Sequence, residues 1–432
     1  MKLCMIGTGY VGLVSGVCFS DVGNTVYCVD KDEKKIDSLN RGVVPIYEPG
    51  LEEILKRNQK KNRLIFTTDF KRAVKNSDIV FICVGTPTKK NSYSADLKYV
   101  FKVAHELKKV ISKYKIIVTK STVPVTTGDE IEKILIKQKK NKLIDVVSNP
   151  EFLREGEAIR DFIYPDRVII GTDSEKDNKI LKSLYLPIIK KTSRYYKTSR
   201  RSAELIKYAS NAFLATKITF INELANLTEK TAIDIKDISL GMGLDERIGE
   251  RFLRAGPAFG GSCFPKDTRA LINIGKKFKI DLSIVKNVIR SNEKRKNLLT
   301  KKVESILNGN LKNKIISFLG VTFKPNTDDM RETSSIPMIN YLNKKNCKIR
   351  YHDPSGEKKE FKRLKNVKYY KTVSSTCMGA DLIIIHTEWN DFKSLNFKKL
   401  VKKNNFKIFD MRNIYSPIKM KKLKIQYFGI GR

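Results

Sequence analysis

The chain has 432 residues and a formal net charge of +39, from 85 basic and 46 acidic side chains. This length predicts two or three domains, each with its own core, and the composition, 41% hydrophobic and 30% charged, is typical of a soluble globular protein. We expect no membrane partner, because uninterrupted runs of 18 apolar residues are lacking. The apolar run at the amino terminus is too short for a signal peptide, which predicts a cytoplasmic location.

The basic residues are spread over the whole chain and do not cluster in one segment. We therefore expect no specific nucleic-acid partner, although a polyanion-binding protein stays an alternative because of the net charge. The odd number of cysteines, seven, and the lack of a CxxC pair argue against a disulfide framework and against a zinc site. No metal is expected.

The first thirty residues have the pattern of a dinucleotide-binding unit. An apolar strand at residues 2–6 is followed by GTGYVG at residues 7–12, a helix-like segment, and a second strand that ends in Asp30. The glycines permit the tight turn and the approach of a pyrophosphate to a helix N-terminus. Asp30 suits a ribose with free hydroxyls, so NAD is favoured over NADP. The predicted cofactor residues of this unit are Gly7, Gly9, Tyr10, Val11, Gly12 and Asp30, and Lys35 is either a phosphate or ribose contact or a solvated lysine.

Three further apolar strands follow at residues 79–84, 116–119 and 145–148, and small hydroxyl or acidic residues come after each. Ligands collect beyond the carboxyl ends of parallel strands, so Thr86, Thr122, Glu151 and Glu155 are candidates for the nicotinamide and substrate side of a cleft. Glu151 and Glu155 would be neighbours if a helix started there. Taken singly, such residues are more often helix caps.

A long helix is predicted from about residue 202 to residue 229, where the strand and helix alternation stops. It is long enough to join two domains and to form the contact of a dimer. Lys207 and Asn211 are four residues apart on it, so both could point into one pocket. Its apolar stripe consists of Leu205, Ala209, Ala212, Phe213, Phe220, Leu224 and Leu227.

The stretch FGGSCFPKD at residues 259–267 sets one thiol, Cys263, among glycines, a lysine and a carboxylate. A nearby cation or a helix N-terminus favours the nucleophilic thiolate, and Asp267 could share a cavity with Cys263 if Pro265 opens a helix. A buried structural cysteine beside a Gly-Gly turn is the alternative.

From residue 314 a second strand and helix alternation begins, but its first turn lacks GxGxxG. A basic, polar first turn suits a nucleoside diphosphate better than a dinucleotide. The sequence thus predicts an α/β protein with two Rossmann-like, doubly wound parallel-sheet domains, at residues 1–200 and 311–432, joined by a long central helix and a helical middle domain at residues 201–310.

Several motifs together carry a family resemblance over nearly the whole chain, in order. They are GTGYVG at residues 7–12, PIYEPGL at 45–51, KSTVPV at 120–125, NPEFLRE at 149–155, the Cys263 stretch, and Phe323-Lys324. The chain resembles the UDP-glucose/GDP-mannose dehydrogenase family. Two departures are visible: Thr126 stands where the family usually has Gly, and Ala258 where Gly is common.

The resemblance implies a four-electron oxidation of a primary alcohol to a carboxylate with two NAD+. Attack by Cys263 on the aldehyde would give a thiohemiacetal, then a thioester that water hydrolyses. Lys207 and Asn211 would donate to the reacting oxygens, Asp267 with Thr122 through a water would transfer protons, and Glu151 would assist thioester hydrolysis.

The resemblance also implies the remaining contacts. Arg247 is expected to reach into the partner's site in a homodimer. The expected cofactor contacts beyond the turn are Thr86, Thr122, Glu155, Lys266 and Arg331. The expected contacts to the UDP-sugar are Glu151, Phe152, Leu153, Lys207, Asn211, Arg247, Phe259, Gly260, Phe323, Lys324 and Arg412.

Two alternatives to oxidation of UDP-glucose stay open at this point. A sibling enzyme acting on UDP-N-acetylmannosamine or GDP-mannose would use the same residues. A non-catalytic NAD-binding regulatory protein is an alternative of another class, although Cys263, Lys207, Asn211 and Asp267 are all present.

Overall fold

The computed structural model describes residues 1–89, 92–136, 143–189 and 194–432. The chain divides into two compact units. The first comprises Met1–Ser210 with Arg269–Ile280, and the second comprises Asn211–Thr268 with Asp281–Arg432.

The first unit is an α/β unit whose strands and helices alternate. Its strands are β1 (Lys2–Ile6), β2 (Thr25–Val29), β3 (Leu64–Thr67), β4 (Ile79–Ile82), β5 (Lys115–Thr119), β6 (Ile144–Ser148), β7 (Val168–Gly171) and β8 (Tyr195–Thr198). Its helices are α1 (Tyr10–Asp21), α2 (Glu33–Asn40), α3 (Leu51–Lys60), α4 (Phe70–Lys75), α5 (Lys98–Val110), α6 (Thr127–Leu135), α7 (Ala158–Ile163) and α8 (Glu175–Tyr185).

In the described part of this unit the strands form one eight-stranded sheet with the order β3-β2-β1-β4-β5-β6-β7-β8. All neighbours pair in parallel except β6 and β7, which pair antiparallel at Ser148 and Gly171. The central strands β1, β4 and β5 are almost continuously buried, as in a parallel sheet whose two faces are covered by helices. The order 3-2-1-4-5-6 places a topological switch point between β1 and β4, where doubly wound sheets bind nucleotides.

Two helices cross the boundary between the units: α9 (Arg200–Thr231) and α11 (Phe264–Lys277). The predicted central helix is thereby confirmed. The other helices of the second unit are α10 (Ile235–Gly243), α12 (Ser283–Ile306), α13 (Ser335–Lys344), α14 (Val373–Cys377), α15 (Phe397–Val401) and α16 (Pro417–Lys422), with a 3-10 turn at Asn390–Phe392.

The sheet of the second unit repeats the order of the first. Its strands are β9 (Ile315–Leu319), β10 (Lys348–His352), β11 (Val367–Tyr369), β12 (Leu382–Ile385), β13 (Lys407–Asp410) and β14 (Gln426–Phe428). Their order is β11-β10-β9-β12-β13-β14, and every pair is parallel. Apolar side chains on the two faces of this sheet form separate buried clusters. The predicted fold class, with two Rossmann-like sheets and a long central helix, is confirmed.

The structure decides two local points that the sequence left open. No helix starts at Glu151: the described backbone after Ser148 is non-helical until α7 begins at Ala158. The apolar stripe of α9 is only partly covered within the chain, since Ala212 is buried while Phe213 is 65% exposed. Leu205, Phe220 and Leu227 are exposed as well. Along the described ranges, no helix is long and apolar enough to cross a membrane.

Candidate active site

The turn between β1 and α1 has the geometry of a dinucleotide site. Gly7 has a φ of +99°, and a Cβ on Gly12 would lie 1.9 Å from the Gly7 carbonyl oxygen, so both positions require glycine. Gly9 caps α1 without a side-chain hydrogen bond, and a Cβ added there would meet nothing within 4 Å. The helix N-terminus is therefore open, and a pyrophosphate fits it.

Asp30 follows β2 and is held beside this turn. Its Oδ2 accepts hydrogen bonds from Thr8 N at 2.9 Å, Thr8 Oγ1 at 2.8 Å and Lys35 Nζ at 3.0 Å. Partial burial raises the pKa of Asp30, but the hydrogen bonds from Thr8 and Lys35 outweigh it and lower the pKa overall. Asp30 is thus an ionised, oriented acceptor suited to ribose hydroxyls. Lys35 is its ion-pair partner.

The loops after β4 and β5 are tied together. Thr86 Oγ1 donates to the Thr122 carbonyl at 2.9 Å, and Ser121 Oγ donates to the Val84 carbonyl at 2.7 Å. Thr86 and Thr122, predicted separately at two strand ends, are therefore neighbours in the structure.

A buried ion pair lies beyond β6. Lys207 Nζ is 2.9 Å from Glu151 Oε1, both residues are buried, and Glu151 Oε2 accepts from Leu153 N at 2.7 Å. Burial raises the pKa of Glu151, but Lys207 outweighs this effect and the pKa is lowered overall. Lys207 also lies 5.2 Å from the centre of the Phe152 ring.

Lys120 is a buried cation next to this pair that sequence reasoning did not single out. Its Nζ donates to Asn149 Oδ1 at 3.1 Å and to the Tyr185 hydroxyl at 3.2 Å. Burial lowers the pKa of Lys120 to about 8. The KSTVPV motif was recognised, but the partners of its lysine lie 29 and 65 residues away in the chain, which no local pattern reveals.

In the second unit, Cys263 directly precedes α11. Its carbonyl accepts the first helical hydrogen bond, from Asp267 N at 2.8 Å, so the thiol is at a helix N-terminus, where negative charge is favoured. Pro265 is the second residue of the helix, as predicted. Cys263 is partly exposed, whereas the other six cysteines are buried. This pattern favours the reactive over the structural interpretation of Cys263.

Asp267 lies one turn into α11 and is 0% exposed. Its Oδ2 accepts from Asn211 Nδ2 at 2.6 Å, and its Oδ1 forms an ion pair with Lys266. The structure therefore brings three predicted residues into one contact network. Both carboxylate oxygens of Asp267 are oriented by fixed donors.

Side chains of α9 and α12 hold the backbone before Cys263. Asn292 accepts from Phe259 N at 2.9 Å and donates to the Phe259 carbonyl at 3.0 Å, while Asn222 accepts from Gly256 N at 2.8 Å. Arg295 Nε donates to the Gly256 carbonyl at 2.7 Å. Sequence reasoning missed these three positioning side chains, because polar residues on a predicted helix are usually assigned to its solvent-exposed face.

The loop after β9 packs against Gly260 and Gly261, which lie just before Cys263. A Cβ on Gly261 would lie 2.7 Å from the Phe323 ring, and a Cβ on Gly260 would lie 2.7 Å from the Glu332 carbonyl oxygen. Arg412 Nη2 donates to the Phe323 carbonyl at 2.8 Å, and Lys324 Nζ lies 5.6 Å from the centre of the Phe323 ring. Phe259, Gly260, Phe323 and Arg412 thus belong to one region of the second unit.

Two predicted arginines pair with nearby carboxylates. Arg331 forms a two-point contact with Asp329, at 2.8 and 2.9 Å. The Arg247 side chain is 89% exposed and pairs with Asp245 at 2.6 Å. Among the described residues, no group of three or more His, Cys, Asp or Glu side chains could hold a metal ion.

The fold and the β1 turn define a class: an α/β dehydrogenase with an NAD-binding unit and a second nucleotide-binding unit. Models of the UDP-glucose/GDP-mannose dehydrogenase family match three ranges of the chain: the NAD binding domain at residues 1–189, the central domain at 201–294 and the UDP binding domain at 317–417. The chain belongs to this family.

Individual relatives match over nearly their full length. The chain is 45% identical over 437 residues to a UDP-glucose 6-dehydrogenase of Rhizobium meliloti strain 1021, covering 100% of both chains. It is 43% identical over 436 residues to the UDP-glucose 6-dehydrogenase TuaD of Bacillus subtilis strain 168, covering 100% of this chain and 93% of the relative.

Solved structures match as well. A UDP-glucose dehydrogenase from Pyrobaculum islandicum superposes with a TM-score of 0.90 at 35% identity, covering 99% of this chain and 97% of that one. A UDP-D-ManNAc dehydrogenase from Pyrococcus horikoshii has a TM-score of 0.85 at 26% identity, covering 100% and 99%.

Proposed function

We propose that the protein is a UDP-glucose 6-dehydrogenase, which oxidises UDP-glucose to UDP-glucuronate with two NAD+. The observation that carries the proposal is the partly exposed Cys263 at the N-terminus of α11, with Asp267 held by Asn211 one turn later. Relatives named UDP-glucose 6-dehydrogenase, at 43 to 45% identity over the whole chain, support the choice of sugar.

NAD, when bound, accepts the hydride in each of the two oxidations. Support for its position comes from the open N-terminus of α1 and the ionised Asp30. The proposed contacts are Gly7, Gly9, Tyr10, Val11, Gly12, Asp30, Lys35, Thr86, Thr122, Glu155, Lys266 and Arg331.

Cys263 is the proposed nucleophile. Its thiolate adds to the aldehyde carbon and forms a thiohemiacetal, which is oxidised to a thioester and then released as the acid by water. The helix N-terminus behind Cys263 favours the thiolate form that this addition needs. The six buried cysteines lack the exposure that such a nucleophile requires.

Lys207 and Asn211 are proposed to donate to the reacting oxygens, and loss of one such donor typically lowers the rate about 100- to 1000-fold. Asp267, with Thr122 through a water, is the proposed proton-transfer group. Glu151 is proposed to activate the water that hydrolyses the thioester, since its lowered pKa keeps it ionised. Its buried contact with Lys207 supports that charge state.

For the sugar nucleotide, the proposed contacts are Glu151, Phe152, Leu153, Lys207, Asn211, Arg247, Phe259, Gly260, Phe323, Lys324 and Arg412. The hydrogen bonds of Asn292, Asn222 and Arg295 to the Gly256 and Phe259 backbone support a preorganised loop for the sugar.

A homodimer is proposed, with Arg247 contributed across the interface. The exposed side chains of Phe213, Phe220 and Leu227 on α9 support an apolar contact between copies, and the exposure of Arg247 leaves it available.

The division into domains at residues 1–200, 201–310 and 311–432 also stays a prediction. So does the cytoplasmic location, which the seven free cysteines support because a reducing compartment keeps thiols free.

The test is the number of NADH released per UDP-glucose consumed, with the product identified. Two NADH and an acid product are expected for the wild type. Cys263→Ser should stall at or before the thioester stage, and normal uronate formation by it would contradict the cysteine mechanism. Turnover of UDP-N-acetylmannosamine or GDP-mannose instead would move the assignment to a sibling, and NADH binding without turnover would favour a regulatory protein.

A further inference from the structure

The PIYEPGL motif at residues 45–51 contributes a carboxylate, Glu48, that none of the roles above uses. Glu48 lies between α2 and α3 and is 8% exposed. A buried carboxylate is retained only when its oxygens are hydrogen-bonded. Its partners therefore show which parts of the chain it holds.

Glu48 connects two distant segments of the first unit. Its Oε2 accepts from the Tyr10 hydroxyl and from Gly156 N at 2.7 Å. Its Oε1 accepts from Ala158 N at 2.8 Å and from Ile159 N at 3.3 Å. One carboxylate thus binds the first residue of α1 and the backbone at the start of α7.

Tyr10 provides a second acceptor for Gly156 N. Its hydroxyl oxygen also accepts from Gly156 N at 2.6 Å. Burial raises the pKa of Tyr10, and the hydrogen bond to Glu48 raises it further by a smaller amount. The phenol therefore stays protonated and donates. Gly156 has a φ of +79°, a conformation that favours glycine, and its N–H donates to both acceptors.

The segment held in this way is the loop that carries two proposed site residues. Glu151 and Glu155 lie between β6 and α7 in non-helical backbone. Glu151 is anchored at its own end by Lys207 and Leu153 N. The Glu48 network anchors the opposite end, at Gly156 and Ala158.

We propose that Glu48 is a positioning residue that fixes the loop of residues 151–158 to the cofactor turn through Tyr10. The proposal deepens the function proposed above and rests on it. Glu48 acts on NAD binding through Tyr10 and Glu155, and on thioester hydrolysis through Glu151. A misplacement of about 1 Å at a reacting group can lower a rate about 100-fold.

The test compares Glu48→Gln and Tyr10→Phe, singly and together, with Glu52→Gln as the matched control. Glutamine keeps one acceptor oxygen but cannot accept on both sides. Glu52 is an exposed carboxylate on α3 that pairs with Lys56, one turn later on the same helix. Thermal unfolding of each variant identifies those that do not fold, and Tyr10→Phe is the milder change if Glu48→Gln fails to fold.

NADH binding, followed by its fluorescence, needs no sugar nucleotide. We expect about a tenfold weaker Kd in Glu48→Gln and in Tyr10→Phe, and no change in Glu52→Gln. The double variant should lose little more than the larger single loss, because both changes break one network. Unchanged NADH binding in both folded single variants, or full additivity, overturns the proposal.

Turnover of UDP-glucose gives the second readout. In Glu48→Gln the steady-state kcat should fall at least tenfold, while a burst of NADH before thioester hydrolysis persists. An equal fall of burst and steady state would indicate a merely structural role and overturn the proposal. Failure of the proposed function looks different, because the wild type would bind NADH and turn over no UDP-glucose.

Discussion

The two sheets share one strand order but use the position after the second strand differently. In the first unit, Asp30 is partly exposed beside an open helix N-terminus. In the second, Asp353 follows β10, is 0% exposed, and accepts from Val321 N at 2.8 Å and Thr322 N at 3.3 Å. Both carboxylates hold the first loop of their sheet, but Asp30 keeps some exposed surface for the ribose contact proposed above, whereas Asp353 has none.

The loops that follow the first strand of each sheet also differ, in length and in the side chains that they carry. Only three residues, 7–9, separate β1 from α1, whereas residues 320–334 separate β9 from α13. The short turn leaves backbone N–H groups at the helix N-terminus available to a pyrophosphate. The long loop instead carries Phe323, Lys324 and Arg331. Equal topology therefore does not imply equal ligands, and the residues of the first turn decide.

Replacing Asp353 should lower the stability of the protein far more than replacing Asp30. Asp353→Asn keeps one acceptor oxygen where the carboxylate has two, so the N–H groups of Val321 and Thr322 or the N–H of Ser355 lose their acceptor. We expect the free energy of unfolding to fall by about 3 kcal/mol. Denaturant unfolding measures this. The matched change Asp30→Asn should cost less than about 1 kcal/mol of stability but weaken NADH binding about tenfold. Equal stability losses at the two positions would contradict the distinction.

Gly12→Ala tests the open turn of the first sheet. Because the new Cβ would lie 1.9 Å from the Gly7 carbonyl oxygen, the turn must shift, and NADH binding should weaken about 100-fold, or about 2.7 kcal/mol. Gly241→Ala, on α10 with open space around its Cβ, is the control. A fluorescence titration in which Gly12→Ala matches this control would refute the requirement.

The pH dependence of stability should differ in sign between the units. Burial lowers the pKa of His386 in the second unit to about 3, so the unfolded chain binds more protons below pH 6.5. Its contribution to stability should rise by about 2 kcal/mol from pH 5 to pH 7. Burial raises the pKa of Glu204 in the first unit to about 7, so its contribution falls by about 2 kcal/mol over the same range.

Calorimetric unfolding at pH 5, 6 and 7 separates the two effects. In His386→Gln the falling contribution of Glu204 should dominate, and in Glu204→Gln the rising contribution of His386 should dominate. Parallel pH profiles in the two variants would argue against opposite signs.

The sequence predicted what depends on local pattern. Apolar strands, the glycine turn and the helix beginning near Pro265 follow from residues close in the chain, and these agree with the structure. Contacts between distant segments were not predictable in this way. Asn292 binds the backbone of Phe259, 33 residues away, and Glu48 binds Ala158, 110 residues away. Whether a helix starts at Glu151 was left open by the sequence, and the structure has none before Ala158.

The two residues that depart from the family motifs both lie in backbone geometry that favours glycine. Thr126 has a φ of +81° and Ala258 a φ of +135°, both in the range that favours glycine. Glycine would adopt both conformations without a steric penalty. Sequence alone showed the substitution but not its cost.

Thr126→Gly is the smallest expected effect and has the opposite sign. Thr126 caps α6 without a side-chain hydrogen bond, while its N–H donates to Glu204 Oε2 at 2.8 Å, so glycine keeps the contact and removes the strain of a β-branched residue. Left-handed backbone costs about 1 to 2 kcal/mol in such a residue, and the greater freedom of glycine in the unfolded chain offsets about half of that. We therefore expect a gain of about 0.5 to 1 kcal/mol in the free energy of unfolding. Thr127→Gly is the control, because Thr127 is buried and its hydroxyl donates to the Pro124 carbonyl at 2.6 Å, so its loss should destabilise. If both changes lower the thermal midpoint alike, the strain at Thr126 is not the reason that the family has glycine there.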